Sequence, residues 1–111
     1  MENRIRTYLF DILNSIEEIE SFFDGLPLDY VAFQADKKTK RAVERNIEII
    51  GEAVNRILKE NPSFPLENAR NIIGTRNRII HSYDNVADEM IWSIVVKSLP
   101  KLKEEVKNML N

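Results

Sequence analysis

The single histidine of the chain, His81, stands within Arg76-Asn77-Arg78-Ile79-Ile80-His81-Ser82-Tyr83, between two arginines and a tyrosine. An imidazole exchanges protons near neutral pH, a guanidinium holds phosphate oxygens through paired hydrogen bonds, and a phenol adds a hydroxyl. Together they point to chemistry on phosphate esters.

The geometry of a helix restricts how these groups meet. At about 100° per residue, Arg76 shares a stripe with Ile72, Ile73, Ile79, Ile80 and Tyr83, the face a helix here should bury. An unpaired guanidinium on a buried face is very unfavourable. Arg76 therefore either pairs with a core Glu or Asp or lines a cleft or interface that receives an anion. His81 lies five residues after Arg76, about 140° around an ideal helix. Either the helix ends before His81, or Arg and His meet across two subunits. Asn77 and Arg78, four and three residues before His81, are the positions placed to reach it within one helix, and Asn77 is the residue to fix its tautomer.

At 111 residues the chain has room for one domain, 1–111, with one modest core. With 43% hydrophobic and 31% charged residues, it has the balance of a soluble globular protein. No apolar run approaches the roughly 20 residues of a membrane span, and Met1-Glu2-Asn3-Arg4-Ile5-Arg6 lacks a signal-peptide core, so a cytoplasmic location is expected. The chain has no cysteine and one histidine, which leaves few ligands for a transition metal; no metal and no cofactor is expected. The acidic residues Asp84, Asp88 and Glu89 suit a helix N-terminus without any ion. A formal net charge of -2 confines any RNA contact to a local patch. Arg70, Arg76 and Arg78 form one candidate. Lys37, Lys38, Lys40, Arg41 and Arg45 form another, which also reads as a solvated helix face.

The elements that must position the motif are helical. Ile5, Tyr8, Leu9, Ile12, Ile16, Ile19, Phe22 and Phe23 recur at three- and four-residue steps and predict a first helix, stopped by Gly25 and Pro27. A second, longer helix is expected from an Asp29 cap through Phe33, Val43, Ile47, Ile50, Val54, Ile57 and Leu58 to Asn61-Pro62. Gly51 inside it costs about 1 kcal/mol relative to Ala, which either a close helix approach or simple tolerance at an exposed site explains. Ala69, Ile72, Ile73, Ile79 and Ile80 mark a third helix in which Gly74 permits a bend. Asn85 with Asp88 reads as a cap for a final helix carrying Met90, Ile91, Ile94, Val95, Leu99, Leu102, Val106 and Leu110, which Pro100 should kink or split. No segment alternates with a period of two. The expected fold is an all-α, up-and-down bundle of four to five helices.

Arg76, four intervening residues, His81, one residue and Tyr83 match the Arg-x4-His-x-Tyr pattern of HEPN-domain ribonucleases, and the whole chain resembles the HepT-like branch of that superfamily. The resemblance includes Ile49-Ile50-Gly51-Glu52-Ala53, Ile72-Ile73-Gly74-Thr75-Arg76-Asn77 and Val95-Val96-Lys97-Ser98-Leu99-Pro100-Lys101-Leu102. Ser82 stands where the family often has glycine, a change that bears only on the local backbone. The resemblance implies a metal-independent endoribonuclease, usually the toxin of a toxin–antitoxin pair, working as a homodimer with its cleft between subunits. It also implies a minimal nucleotidyltransferase antitoxin that silences the toxin by transferring AMP to Tyr83.

The residues suit that chemistry. Cleavage by the 2′-hydroxyl needs a base, an acid for the leaving 5′-oxygen and positive charge at the phosphorane. Two copies of His81 in a symmetric cleft would supply base and acid, and Arg76 the charge. Tyr83 would bind substrate phosphate or orient the imidazole; it also reads as a core aromatic. Two other readings compete. A histidine phosphotransfer module would want a lysine soon after the histidine, where this chain has Ser82-Tyr83-Asp84-Asn85. A non-catalytic helical partner of a nucleotidyltransferase would keep the fold without turnover.

Overall fold

The computed structural model describes residues 2–26, 28–81 and 87–111, and the side chains of Ile80 and His81 lie outside that description. Helix α1 (Asn3–Ser21) buries Ile5, Leu9, Ile12, Ile16 and Ile19. This is the predicted stripe. After α1 the chain turns through Gly25, whose φ of 71° is a left-handed conformation that glycine adopts without a steric penalty.

The second predicted helix is two. Helix α2 (Tyr30–Ala35) starts at the expected cap, with the Asp29 carboxylate accepting from the Val31 amide at 3.1 Å. Asp36 then leaves helical geometry (φ -100°, ψ 88°) and caps α3 (Lys37–Glu60), accepting from the Thr39 amide at 3.1 Å and the Thr39 hydroxyl at 2.6 Å. A side chain that satisfies the next helix's first amides competes with helix continuation, so the apolar stripe crosses a break it does not register.

Beyond the loop, a short 3-10 turn (Glu67–Ala69) leads into α4 (Arg70–His81). The Glu105 carboxylate accepts from the backbone amides of Glu67 and Asn68 at 3.0 and 3.4 Å, which ties this entry to the last helix. Helix α5 (Asp88–Ser93) begins with Ala87 at the N-cap position; the expected Asn85 cap lies outside the described residues. A π segment (Ile94–Ser98) joins α5 to α6 (Leu99–Leu110), in whose first turn Pro100 sits. Pro100 removes an amide and crowds the preceding turn; the wider π turn relieves both, so the helix is re-wound rather than split.

Helix α3 is the axis of the packing, with α1 on one side and α4 on another, while α6 closes against α1. Val43, Ile47, Ile50, Val54 and Ile57 of α3, Ile72 and Ile79 of α4, and Leu99, Leu102 and Val106 of α6 are at most 3% exposed. Each contributes about 1.5–3 kcal/mol on burial, enough for these stripes to decide which faces meet. Phe33 and Trp92, with ring centroids 5.0 Å apart, join α2 to α5. The architecture is the expected all-α bundle: counting α5, the π segment and α6 as one continuous helix, it has five, and no strand occurs among the described residues. No helix among those residues is long and apolar enough to cross a membrane.

Candidate functional site

Arg76 is half-buried where α4 crosses α3, on the face the periodicity assigns to the interior. Its stem occupies space left open by Gly51: a Cβ built on that glycine would lie 2.6 Å from Cδ, 2.8 Å from Cβ and 3.0 Å from Cγ of Arg76. The glycine in α3 therefore serves a close approach. At the head, Arg76 donates from Nη1 to Oδ1 of Asn77 at 3.3 Å, and its Nε is buried without a hydrogen-bond partner among the described residues. No described carboxylate forms an ion pair with it, although five other cations are so paired. Of the two explanations the sequence leaves open, a core Glu or Asp partner is not found among these residues. An incompletely satisfied, half-buried cation is a place for an anion.

Asn77 is engaged with Arg76 through its carbonyl oxygen. Arg78 points to the other side of α4, its Nη1 2.9 Å from Sδ of Met90 on α5. Helix α4 continues through His81, its last residue, so it does not end before the histidine. Positions 76 and 81 are thus about 140° apart on one helix. Position 81 falls instead on the stripe of Asn71, Gly74 and Arg78. Tyr83 lies outside the described residues.

Carboxylates gather on the neighbouring stretch of α3. Lys40 Nζ bridges both oxygens of Asp88 at 3.3 and 3.2 Å, fastening α3 to the start of α5. One turn along, burial raises the pKa of Glu44; Arg41 and Lys40 oppose the shift, and Asp88 and Glu48 add to it. Glu48 itself pairs with Arg45 at 3.4 Å. The upstream basic segment is thereby partly neutralised, because Lys40 and Arg45 both face acids.

The sequence did not single out Lys97 and Lys101. With Arg70, Asn71, Ser93 and Ser98 they line a groove of about 560 Å³ between the start of α4 and the last helix. Their four-residue spacing was the available signal.

A family model described as "Ribonuclease HepT-like" matches residues 12–109, a span that includes every element from the middle of α1 to the end of α6. The chain belongs to the HepT-like ribonuclease family. This is the family whose motif it resembles. It is 34% identical to "Probable ribonuclease HepT" of Thermococcus cleftensis over 113 aligned residues, covering 98% of each chain. It is also similar to two Methanocaldococcus jannaschii proteins named "Putative RNase", at 32% identity over 96% of this chain and 87% of the relative, and at 35% over 93% and 94%. No solved structure matches the chain. Of the motif residues of this HepT-like chain, Arg76 lies in the middle of α4 and His81 is its last residue.

Proposed function

We propose that the protein is a metal-independent endoribonuclease that acts in the cytoplasm as a homodimer, with Arg76 and His81 catalytic. The observation that carries this reading is Arg76: in a HepT-like chain, the motif arginine is set into a socket at Gly51 with a buried Nε and no described carboxylate partner. A phosphate would complete it. The placement of position 81 well around α4 from position 76 supports a cleft shared by two subunits, where Arg76 and His81 of different copies approach one another.

In that cleft one His81 accepts the 2′-hydroxyl proton, and the oxygen attacks the adjacent phosphorus. The O2′–P bond forms and the P–O5′ bond breaks. The second His81 protonates the departing 5′-oxygen, leaving a 2′,3′-cyclic phosphate and a 5′-hydroxyl. Arg76 holds the non-bridging oxygens of the phosphorane through bidentate hydrogen bonds, and Asn77 steadies the guanidinium from the side. Arg78 and Tyr83 bind substrate.

The same reading extends to control. The protein is the toxin of a toxin–antitoxin pair whose antitoxin, a minimal nucleotidyltransferase, adenylylates Tyr83. A bulky anion there would fill the cleft and repel RNA.

The test is RNA cleavage by purified parent, Arg76→Ala and His81→Ala proteins with EDTA present, each checked for folding by circular dichroism. Cleavage by the parent alone is expected. Equal cleavage by His81→Ala would overturn the catalytic assignment. Folded parent protein that binds a nucleotidyltransferase yet cuts no RNA would favour the non-catalytic partner instead. Adenylylation is read by mass spectrometry after incubation with the nucleotidyltransferase and ATP, and should be absent in Tyr83→Phe.

A further inference from the structure

Arg70 on α4 and Lys97 and Lys101 on the last helix are cations that the proposed reaction does not use. Arg70, Asn71, Gly74, Thr75 and Arg78 form one wall of a groove of about 440 Å³, opposite Met90, Ser93, Ile94 and Ser98. The groove of about 560 Å³ that includes Lys97 and Lys101 shares Arg70, Asn71, Ser93 and Ser98 with it, so the two are parts of one channel. Four exposed cations border this channel: Arg78, Arg70, Lys97 and Lys101. None of them is in an ion pair among the described residues. The carboxylates on the lining are Glu67 and Glu89, and nearby Glu105 is occupied with backbone amides. In a chain of net charge -2 this is a local excess of positive charge.

Two further features suit a polyanion. The lining sets the polar Asn71, Thr75, Ser93 and Ser98 beside the apolar Met90 and Ile94, and at Gly74 an added Cβ would meet nothing within 4 Å, so the channel is open along its middle. Arg70 and Arg78 are eight residues apart on α4, about 12 Å along the helix, which exceeds the spacing of adjacent phosphates on a strand.

We propose that this channel carries single-stranded RNA flanking the cleaved phosphate, with Arg70, Lys97 and Lys101 contacting its backbone. The proposal rests on the ribonuclease reading and adds where the substrate runs. Arg78, between the two catalytic positions in sequence, marks the end nearest the reaction. Backbone contacts of this kind give affinity without base preference, and each cation lost removes about one unit of the logarithmic salt dependence.

The test compares parent protein with Arg70→Ala, Lys97→Ala, Lys101→Ala, Gly74→Leu and, as a control on the basic segment at the start of α3, Lys37→Ala/Lys38→Ala. Binding of a mixed-sequence oligoribonucleotide with 2′-O-methyl riboses is followed by fluorescence anisotropy across a salt series. Cleavage of the unmodified oligonucleotide and of a dinucleotide is measured alongside. Each alanine variant of the channel should bind the oligonucleotide about three- to tenfold more weakly, with a shallower salt slope. Gly74→Leu should weaken binding by obstruction and leave the slope intact. Dinucleotide cleavage and the control variant should match the parent.

The channel is wrong if its variants bind and cleave the oligonucleotide as the parent does, or if the dinucleotide suffers equally. It is also wrong if the Lys37/Lys38 control carries the loss. Parent protein that neither binds nor cuts any RNA would bring down the ribonuclease reading and the channel together.

Discussion

The stem of Arg76 fills the space that a side chain on Gly51 would take, with Arg76 Cδ 2.6 Å from the position of a Cβ on that glycine. Glycine in a helix interior costs about 1 kcal/mol relative to alanine, so Gly51→Ala should stabilise α3 on propensity alone. Here the close atoms include Cβ of Arg76 at 2.8 Å, which is fixed to the backbone and cannot swing aside without moving α4. Overpacking of about 1–3 kcal/mol outweighs the propensity gain. Gly51→Ala should lower the melting temperature and depress RNA cleavage. In an Arg76→Gly background, which removes the Arg76 Cβ at 2.8 Å along with the rest of the stem, the same change should raise the melting temperature. A double-mutant cycle by urea unfolding checks the sign reversal, and additive effects would mean the two residues are uncoupled.

Mixing experiments test the shared cleft. If one cleft needs an imidazole from each subunit, a heterodimer of parent and His81→Ala is inactive. After subunit exchange, activity should fall as the square of the parent fraction. A linear fall would place all catalytic groups within one chain.

Asn77 holds the Arg76 head through a single 3.3 Å contact. Asn77→Ala should reduce turnover about three- to tenfold, in line with loss of one long, exposed hydrogen bond worth about 0.5–1.5 kcal/mol, with little effect on stability. Asn77→Asp should be worse than alanine, because a carboxylate beside the guanidinium competes with phosphate. Steady-state cleavage assays separate the two.

Glu44 is a place where stability depends on pH. Burial raises its pKa above the ordinary carboxylate value, so the folded state holds the proton more tightly than the unfolded chain. Its contribution favours folding below the unfolded pKa and is lost as pH rises through the folded one. Glu44→Gln, which cannot ionise, should therefore melt higher than the parent at neutral pH. The gap should close in acid, and calorimetry from acid to neutral pH would show it.

Phe33 is 2% exposed and packs on Trp92, which also contacts Phe23 and Tyr30. Phe33→Ala should cost about 3–5 kcal/mol, the range for deleting a buried aromatic, and should shift the emission of the single tryptophan. Urea denaturation followed by fluorescence measures both.

Sequence periodicity alone determined the helical class and most of the buried faces, because a 3.6-residue repeat of apolar side chains has one structural solution in water. The α1 stripe from Ile5 to Ile19 and the α4 pair Ile72 and Ile79 are buried as that repeat requires. The motif, too, was legible, since Arg76, His81 and Tyr83 are local in the chain and their family is the one to which the protein belongs. The break at Asp36 and the π turn before Pro100 were not, because each is decided by which backbone amide finds a partner rather than by which face is apolar. Only the tertiary structure decided why Gly51 is a glycine, and that Arg76 and Arg78 serve opposite sides of α4. Lys97 and Lys101 likewise come beside Arg70 only when the last helix folds back along α4, a juxtaposition of residues far apart in sequence that no local pattern contains.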